Sequence, residues 1–379
     1  MAMLQLPDLA PLGWDGSFDG SFHAHQAVGR IPARVVAVHK ETAIVRHAVD
    51  GVDRTAVVSG RFRFGALSPS DYPAVGDWVA LEPDDAGLSG ESPAVIAAVL
   101  PRRSAIRRSA GDAARRGSGR LSDEQVMAAN VDVAFLVAGL DGDFNLRRME
   151  RYLAVAWSSE VSPVVVLNKA DVGTDIEGRR VAVEAIAPGV PVVTLSALTG
   201  SGVPALDEHL KAGRTAVVLG SSGVGKSTLL NALLGEQRQA TAAVRQGDSR
   251  GRHTTTHREL FVLPGGGLLV DTPGIRALQV AGADDGLAPA FDDIESLAAS
   301  CRFSDCRHDG EPGCAVQAAL ADGTLGRDRF ESHRKLEREL AHEARRADPV
   351  AAAEHRRKWR AISKSVEKHM DRKYAEGWR

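Results

Sequence analysis

An eight-residue glycine-rich stretch is typical of a site that binds phosphate groups. It consists of Gly220, Ser221, Ser222, Gly223, Val224, Gly225, Lys226 and Ser227. The spacing fits G-x-x-x-x-G-K-S/T, in which the glycines let backbone N–H groups wrap around a phosphate. We expect the Lys226 side chain to bridge the β- and γ-phosphates and the Ser227 hydroxyl to ligate Mg²⁺. An apolar run before the stretch and a helical pattern after it predict the strand–loop–helix context that the motif requires.

Two segments that follow this phosphate loop are expected to respond to the γ-phosphate. Asp271 opens an Asp-Thr-Pro-Gly segment, and we expect its carboxylate to hold Mg²⁺ through water. The N–H of Gly274, in the same segment, is expected to contact the γ-phosphate. A threonine of the intervening segment 251–256 is expected to close over Mg²⁺, and the spacing does not decide which one. The candidates are Thr254, Thr255 and Thr256.

A further motif has the N-K-x-D pattern of guanine recognition. Its residues are Asn168, Lys169, Ala170 and Asp171. The Asp171 carboxylate can pair with the N1 and N2 donors of guanine, which adenine lacks. Asn168 is expected to tie this loop to the phosphate loop, and Lys169 to cover the plane of the base. Taken alone, the four residues would also fit the start of a helix. Ser196 and Ala197 resemble the S-A-x loop whose backbone N–H contacts guanine O6.

The order of these motifs along the chain is unusual. In a GTPase of ordinary topology the guanine motif follows both phosphate motifs, whereas here residues 168–171 precede residues 220–227 and 271–274. Here the guanine motif comes first, the phosphate loop second and the Asp-Thr-Pro-Gly segment last. This order predicts a circularly permuted GTPase domain that binds GTP or GDP with Mg²⁺.

All three cysteines of the chain lie close to one histidine. Cys301, Cys306, His308 and Cys314 form a complete Cys₃His set within fourteen residues. Four such ligands suit one tetrahedral Zn²⁺ with no open position, which predicts a structural metal. The alternative is a group of buried cysteines beside an unrelated histidine.

The surrounding pattern predicts three domains. Short apolar runs between residues 30 and 100 indicate a small all-β barrel of the OB type. Alternating strand and helix patterns then predict an α/β parallel sheet, with ligand motifs at the carboxyl ends of its strands. The last part is mostly helical around the cysteines. The predicted boundaries are 1–102 for the barrel, 103–125 for a linker, 126–288 for the GTPase domain and 289–379 for the zinc-binding domain.

Composition adds limits on the environment and partners of the chain. The net charge is −2 over 379 residues, but residues 102–120 contain seven arginines against one acidic residue. This stretch is predicted to be an exposed loop, and its charge suits a phosphate-rich partner. No apolar run approaches the ~20 residues of a membrane span, and the N-terminus has no secretory signal pattern. A cytoplasmic, monomeric protein without a membrane partner is expected.

These motifs resemble those of the ribosome small-subunit-dependent GTPase A (RsgA) family of bacterial circularly permuted GTPases. The similarity covers nearly the whole chain. The matching segments are 75–79, 128–132, 151–153, 168–171, 220–228 (ending at Thr228), 251–256, 271–275 and 301–316. The resemblance implies an N-terminal OB fold, a permuted GTPase core and a C-terminal zinc domain. It also implies a role in late maturation of the small ribosomal subunit, with that subunit and its rRNA as partners.

Slow intrinsic hydrolysis of GTP, with activation by the subunit, is a further expectation. The position after the Asp-Thr-Pro-Gly segment is Ile275, whereas Ras-like GTPases have a glutamine that orients water. His253 is the nearest candidate to position that water; alternatively it packs in its loop or contacts rRNA. Two other functions remain open at this point. One is a metabolic P-loop phosphotransferase, and the other is a zinc-dependent RNA-binding protein whose nucleotide only stabilises the fold.

Overall fold

The computed structural model describes residues 8–39, 42–47, 52–83, 92–109, 124–235, 258–271 and 284–347. Among these residues, no helix is both long and apolar enough to cross a membrane.

The predicted barrel is confirmed as a closed sheet of five strands. Its elements are α1 (Gly16–Gln26), β1 (Ile31–His39), β2 (Thr42–Arg46), β3 (Arg54–Val58), α2 (Gly60–Gly65), β4 (Trp78–Leu81) and β5 (Ala94–Val99). The strands follow the order β1-β2-β3-β5-β4, and β4 pairs again with β1 to close the barrel. Alternate side chains such as Val35, Val45, Val79 and Ile96 fill the interior. Ser59 caps α2 by accepting a hydrogen bond from the Phe62 N–H at 3.1 Å.

The prediction of an exposed loop from residue 102 is wrong for residues 102–109. Strand β6 (Ala105–Ser109) pairs with β7 (Glu124–Ala129) as an antiparallel ribbon. The Arg102 guanidinium lies 2.7 Å from the carboxylate of Asp77, which is fully buried. Burial raises the pKa of Asp77, and Arg102 opposes that rise. A buried carboxylate requires such a partner, so this arginine is part of the fold. Residues 110–123 and 348–379 lie outside the described residues.

The central sheet has the predicted alternation of strands and helices. Its elements are β8 (Val133–Gly139), α3 (Leu146–Ser158), β9 (Ser162–Asn168), α4 (Ile176–Ile186), β10 (Val192–Thr194), β11 (Thr215–Gly220), α5 (Lys226–Leu234), β12 (Arg258–Val262) and β13 (Leu268–Asp271). The order is β10-β9-β8-β11-β13-β12, and the first five strands are parallel. Apolar side chains are buried on both faces of this sheet. Strand β12, antiparallel to β13, was not predicted.

The barrel and the central sheet are joined edge to edge. Strand β12 pairs with β1 of the barrel, with Val38 opposite Arg258, so that eleven strands in the described part of the chain form one sheet. Beside this joint Arg34 is fully buried and donates hydrogen bonds to the carbonyls of Gly76 (2.9 Å) and Asn130 (3.1 Å) and to the Thr215 hydroxyl (3.1 Å). Burial lowers the pKa of Arg34 to about 10, which leaves it charged at neutral pH.

Among the described residues, four helices follow the central sheet. They are α6 (Asp284–Ala290), α7 (Asp292–Ala298), α8 (Ala315–Asp322) and α9 (Arg327–Ala347). Helix α9 is joined to α3 by ion pairs. The buried carboxylate of Glu150 lies 2.9 Å from Arg329, and Arg151 lies 2.7 Å from Glu339.

Candidate nucleotide site and metal centre

The phosphate and guanine motifs lie side by side at one edge of the central sheet. Parallel strands end at the same edge, and each motif begins where its strand ends. Asn168 is the last residue of β9, Gly220 of β11 and Asp271 of β13. Strand β8 lies between β9 and β11, so its following loop borders both motifs.

The phosphate loop requires glycine at two positions. Gly223 and Gly225 have φ angles of 86° and 95°, which side chains rarely adopt. A Cβ atom on Gly225 would also lie 2.4 Å from the Asn168 amide nitrogen. The Lys226 ammonium donates to the carbonyls of Gly220 (2.9 Å) and Ser221 (2.6 Å) and so spans the loop. Ser222 and Gly223 are exposed at the tip, whereas Ser227 and Thr228 are half-buried in the first turn of α5.

A half-buried cation, Lys226, and a buried carboxylate, Asp271, lie at the phosphate loop. Burial lowers the pKa of Lys226 to about 8, opposed by the negative charges of Asp271 and Asp143. Burial raises the pKa of Asp271 to about 6, opposed by Lys226. An incoming phosphate would stabilise the charged form of Lys226, and a divalent cation would stabilise ionised Asp271. The Asp271 carboxylate and Ser227 hydroxyl are oxygen ligands of the kind that Mg²⁺ prefers, so these residues fit the ion.

The guanine motif is tied to the phosphate loop through Asn168. This buried side chain donates to the Val224 carbonyl at 2.8 Å and accepts from the Ala197 N–H at 2.9 Å. The contact with Val224 is the tie that the sequence predicted. The Asp171 carboxylate is exposed and accepts a hydrogen bond from the Ser196 hydroxyl at 2.6 Å, which orients it.

Lys169 has a partner that sequence reasoning missed. Its backbone has a φ angle of 68°, and its ammonium lies 2.5 Å from the carboxylate of Asp141 in the loop after β8. Burial raises the pKa of Asp141, but hydrogen bonds from Lys169 and the Asp143 N–H outweigh that effect and leave it below its ordinary value. This ion pair fixes the lysine side chain of the guanine motif.

Asp143 and Arg148 were also not predicted. The Arg148 guanidinium lies 2.7 Å from both the Asp143 carboxylate and the Ser221 hydroxyl, and that hydroxyl also donates to Asp143. The position of Asp141 and Asp143 directly after a buried strand was the available signal, since such loops carry ligand contacts in α/β sheets.

The Cys₃His set is assembled in three dimensions. The four potential ligand atoms lie within 4.8 Å of one another. Cys301 Sγ is 3.9 Å from Cys314 Sγ, and His308 Nδ1 is 3.6 Å and 3.4 Å from these two sulfurs. Tetrahedral Zn²⁺ with ordinary bond lengths requires about 3.8 Å between sulfurs and about 3.5 Å between sulfur and nitrogen. The cluster, with Cys306 as its fourth member, therefore fits zinc.

Several predicted residues lie outside the part of the chain that the structure describes. They are His253, Thr254, Thr255, Thr256, Gly274 and Ile275. Their roles stay predictions.

A phosphate loop and a guanine motif, joined across one sheet in permuted chain order, define this protein as a circularly permuted P-loop GTPase. The family model described as RsgA GTPase matches residues 99–281. The "Small ribosomal subunit biogenesis GTPase RsgA" of Opitutus terrae is 50% identical over 360 residues, which cover 93% of this chain and 95% of that protein. The protein of the same name from Syntrophotalea carbinolica is 41% identical and covers 98% of this chain and 100% of its own length. The chain belongs to the RsgA GTPase family.

Solved structures agree with this assignment. The crystal structure of YjeQ from Thermotoga maritima has a TM-score of 0.56 at 29% identity and covers 82% of this chain and 99% of its own. The crystal structure of YloQ, a circularly permuted GTPase, has a TM-score of 0.53 and covers 83% of this chain and 96% of its own. Its identity is 22%, so this second similarity shows the fold alone.

Proposed function

We propose that this chain is a GTPase that acts in the late maturation of the small ribosomal subunit. It hydrolyses GTP to GDP and phosphate, and the subunit activates it. The observation that carries this proposal is the hydrogen bond from the Asn168 side chain to the Val224 carbonyl. It joins the guanine motif and the phosphate loop in one site. The curated relatives at 41–50% identity are named for this role. Cytoplasmic location and a monomeric state are part of the same proposal.

The guanine base would be held by groups from two neighbouring loops. The Asp171 carboxylate, oriented by Ser196, pairs with guanine N1 and N2, and Lys169 covers the base. Asn168 already occupies the Ala197 N–H, so the next N–H is the better donor to guanine O6. That next residue is Leu198, which is 77% exposed and whose N–H has no hydrogen-bond partner among the described residues. The Leu198 side chain would also lie against the base.

The phosphates would lie on the loop from Gly220 to Ser227, in contact with its backbone N–H groups and with Lys226. Ser227 and Asp271 would hold Mg²⁺, which neutralises charge on the phosphates when bound. Thr254, Thr255 or Thr256 and the Gly274 N–H would complete the contacts with the γ-phosphate, and His253 would position water.

Hydrolysis should be slow in the isolated protein and rise at least about tenfold with small subunits, a barrier change of ~1.4 kcal/mol. Ile275 cannot orient water, so the subunit must order the groups that do. Single-turnover GTP hydrolysis with and without purified small subunits measures this. His253→Ala should remove most of the rise and leave GTP binding intact. Fast hydrolysis that ignores subunits would contradict the proposed activation, whereas full stimulation of His253→Ala would contradict only that residue's role.

The flanking domains are proposed as an OB-type barrel and a helical domain built around one structural zinc. The closed strand order, the parallel pair β3–β5 and the position of α2 between β3 and β4 all fit an OB fold. The predicted domains, 1–102, 126–288 and 289–379, are kept, with Arg102 at the end of the first and β6 in a folded part of the 103–125 stretch.

A basic surface around α2 is the proposed rRNA contact of the barrel. Arg61 and Arg63 are exposed on this helix, and Phe64 beside them is 93% exposed. Next to α2 lies a cavity of about 750 Å³, lined by Arg61, Arg107 and other residues. Neither Arg61 nor Arg107 forms an ion pair within the described ranges. Exposed arginines beside an exposed aromatic ring suit a phosphate backbone with stacked bases.

Binding to small subunits should weaken steeply as salt is added, because neutralising rRNA phosphates releases counterions. The variant Arg61→Ala/Arg63→Ala/Arg107→Ala should flatten the plot of log affinity against log salt by ~0.7–0.9 for each phosphate that the protein no longer neutralises. Arg180→Ala is the control, since Arg180 lies on α4 and pairs with Glu177 and Glu184. A slope equal to that of the wild type would exclude this surface as the rRNA-binding site.

A further inference from the structure

The loop after β8 holds the phosphate loop through Ser221. Asp143 accepts from the Ser221 hydroxyl, and the Arg148 guanidinium lies 2.7 Å from that hydroxyl and 2.7 Å from the Asp143 carboxylate. On its other side, the Ser221 carbonyl accepts from the Lys226 ammonium at 2.6 Å. The hydroxyl and the carbonyl of Ser221 are therefore both held by hydrogen bonds to side chains of the protein.

A carboxylate is an unexpected neighbour for a phosphate site. The negative charge of Asp143 acts on Lys226, whose pKa it raises against the effect of burial. The same charge would repel a polyphosphate in that position. Arg148 compensates it, and their hydrogen bond in turn raises the pKa of Arg148 above its ordinary value. Both side chains are about one-third exposed, so salt can screen their charges.

We propose that Arg148 is a positioning residue for the phosphate loop: it neutralises Asp143 and, together with it, holds Ser221 so that the loop is set before nucleotide binds. A loop that is already ordered loses less entropy on binding. The inference rests on the proposed function only in that nucleotide binds at this loop. It assigns no contact between Arg148 and the nucleotide.

Helix α3 offers a matched control in the adjacent residue. Arg147 points to the other side of the helix, where it lies 3.0 Å from Asp328 and 3.7 Å from Glu331 of α9. Its removal deletes the same charge from the same helical turn without a contact to Ser221.

The test is titration calorimetry with Mg·GDP on the full chain, with thermal unfolding measured for each variant. Arg148→Ala should bind GDP at least tenfold more weakly than the wild type, because Asp143 is left uncompensated. Asp143→Asn/Arg148→Ala should recover binding to within threefold of the wild type. The loss of GDP affinity in Arg148→Ala should become smaller as the salt concentration rises. Arg147→Ala should bind GDP with the affinity of the wild type.

Wild-type affinity in Arg148→Ala would overturn the proposal. A double variant as weak as Arg148→Ala would overturn it too, since a purely structural role is not rescued by removal of the opposing charge. If Arg148→Ala fails to fold, Arg148→Gln with and without Asp143→Asn repeats the comparison. Failure of the wild type to bind GDP would instead contradict the proposed function.

Discussion

Asp171→Asn is expected to lose more than about a hundredfold in affinity for GDP and to gain affinity for xanthosine diphosphate. The carboxylate accepts from guanine N1 and N2, and hydrogen bonds to charged groups contribute about 1.5–3 kcal/mol each. The asparagine amide presents a donor where guanine also presents donors, which leaves them unmatched. Xanthine carries a carbonyl at that position, which the amide can match. Calorimetric titration of the wild type and the variant with GDP, xanthosine diphosphate and ADP measures this change in nucleotide preference.

A second asparagine substitution controls for charge. Asp175 lies four positions later, at the start of α4, with a left-handed φ of 51° that asparagine tolerates. Asp175→Asn should therefore keep the wild-type preference for GDP. Equal affinity of the wild-type protein for GDP and ADP would refute the assignment of the base site.

Cys306→Ala is expected to remove zinc and unfold the segment around the cluster. Residues 299–314 contain no helix or strand, and Cys314 is the one residue among them that is buried. Zinc binding contributes about 10–16 kcal/mol to the folding of small zinc domains, far more than the turns of this segment can replace. The sheet edge that carries the nucleotide site does not include this segment, so GDP binding should persist. Elemental analysis and limited proteolysis of the variant give the two readouts.

Ser304→Ala is the matched control, because Ser304 is exposed in the same loop and is not a ligand. It should retain one zinc per chain and resist proteolysis like the wild type. Absence of zinc from protein purified without chelator would contradict the metal assignment.

Much of the nucleotide site was predictable because its chemistry is local. The phosphate loop follows from eight consecutive residues and the helix from the pattern after them, and the structure has that helix, α5, begin at Lys226 within the stretch. The partners of these motifs were not predictable, since they come from distant parts of the chain. Asp141 reaches Lys169, and Arg148 reaches Ser221, only because β8 lies between β9 and β11. Motif spacing carries no information about that adjacency.

The prediction of an exposed loop was wrong for residues 102–109 of the arginine-rich stretch because it took charged residues to indicate exposure. Strand β6 alternates poorly, because Arg107 and Arg108 follow the buried Ile106 after a shift in register. In the sequence, Arg102 cannot be distinguished from an exposed arginine, because its partner, the buried Asp77, is identified only by the structure. Arg34 is similar, since a buried arginine cannot be recognised before the carbonyls around it are known. Burial of charge depends on tertiary structure that composition does not report.

The pairing of β12 with β1 has a consequence for how the chain can be divided. An edge strand presents unpaired N–H and C=O groups that recruit other chains. In this fold the barrel covers the β12 edge of the central sheet with its own backbone. Proteolytic or genetic removal of the barrel would open that edge and also take away Arg34, which joins the two parts. The GTPase domain is therefore not an independent unit that can be separated from the barrel, and its solubility depends on the barrel that precedes it.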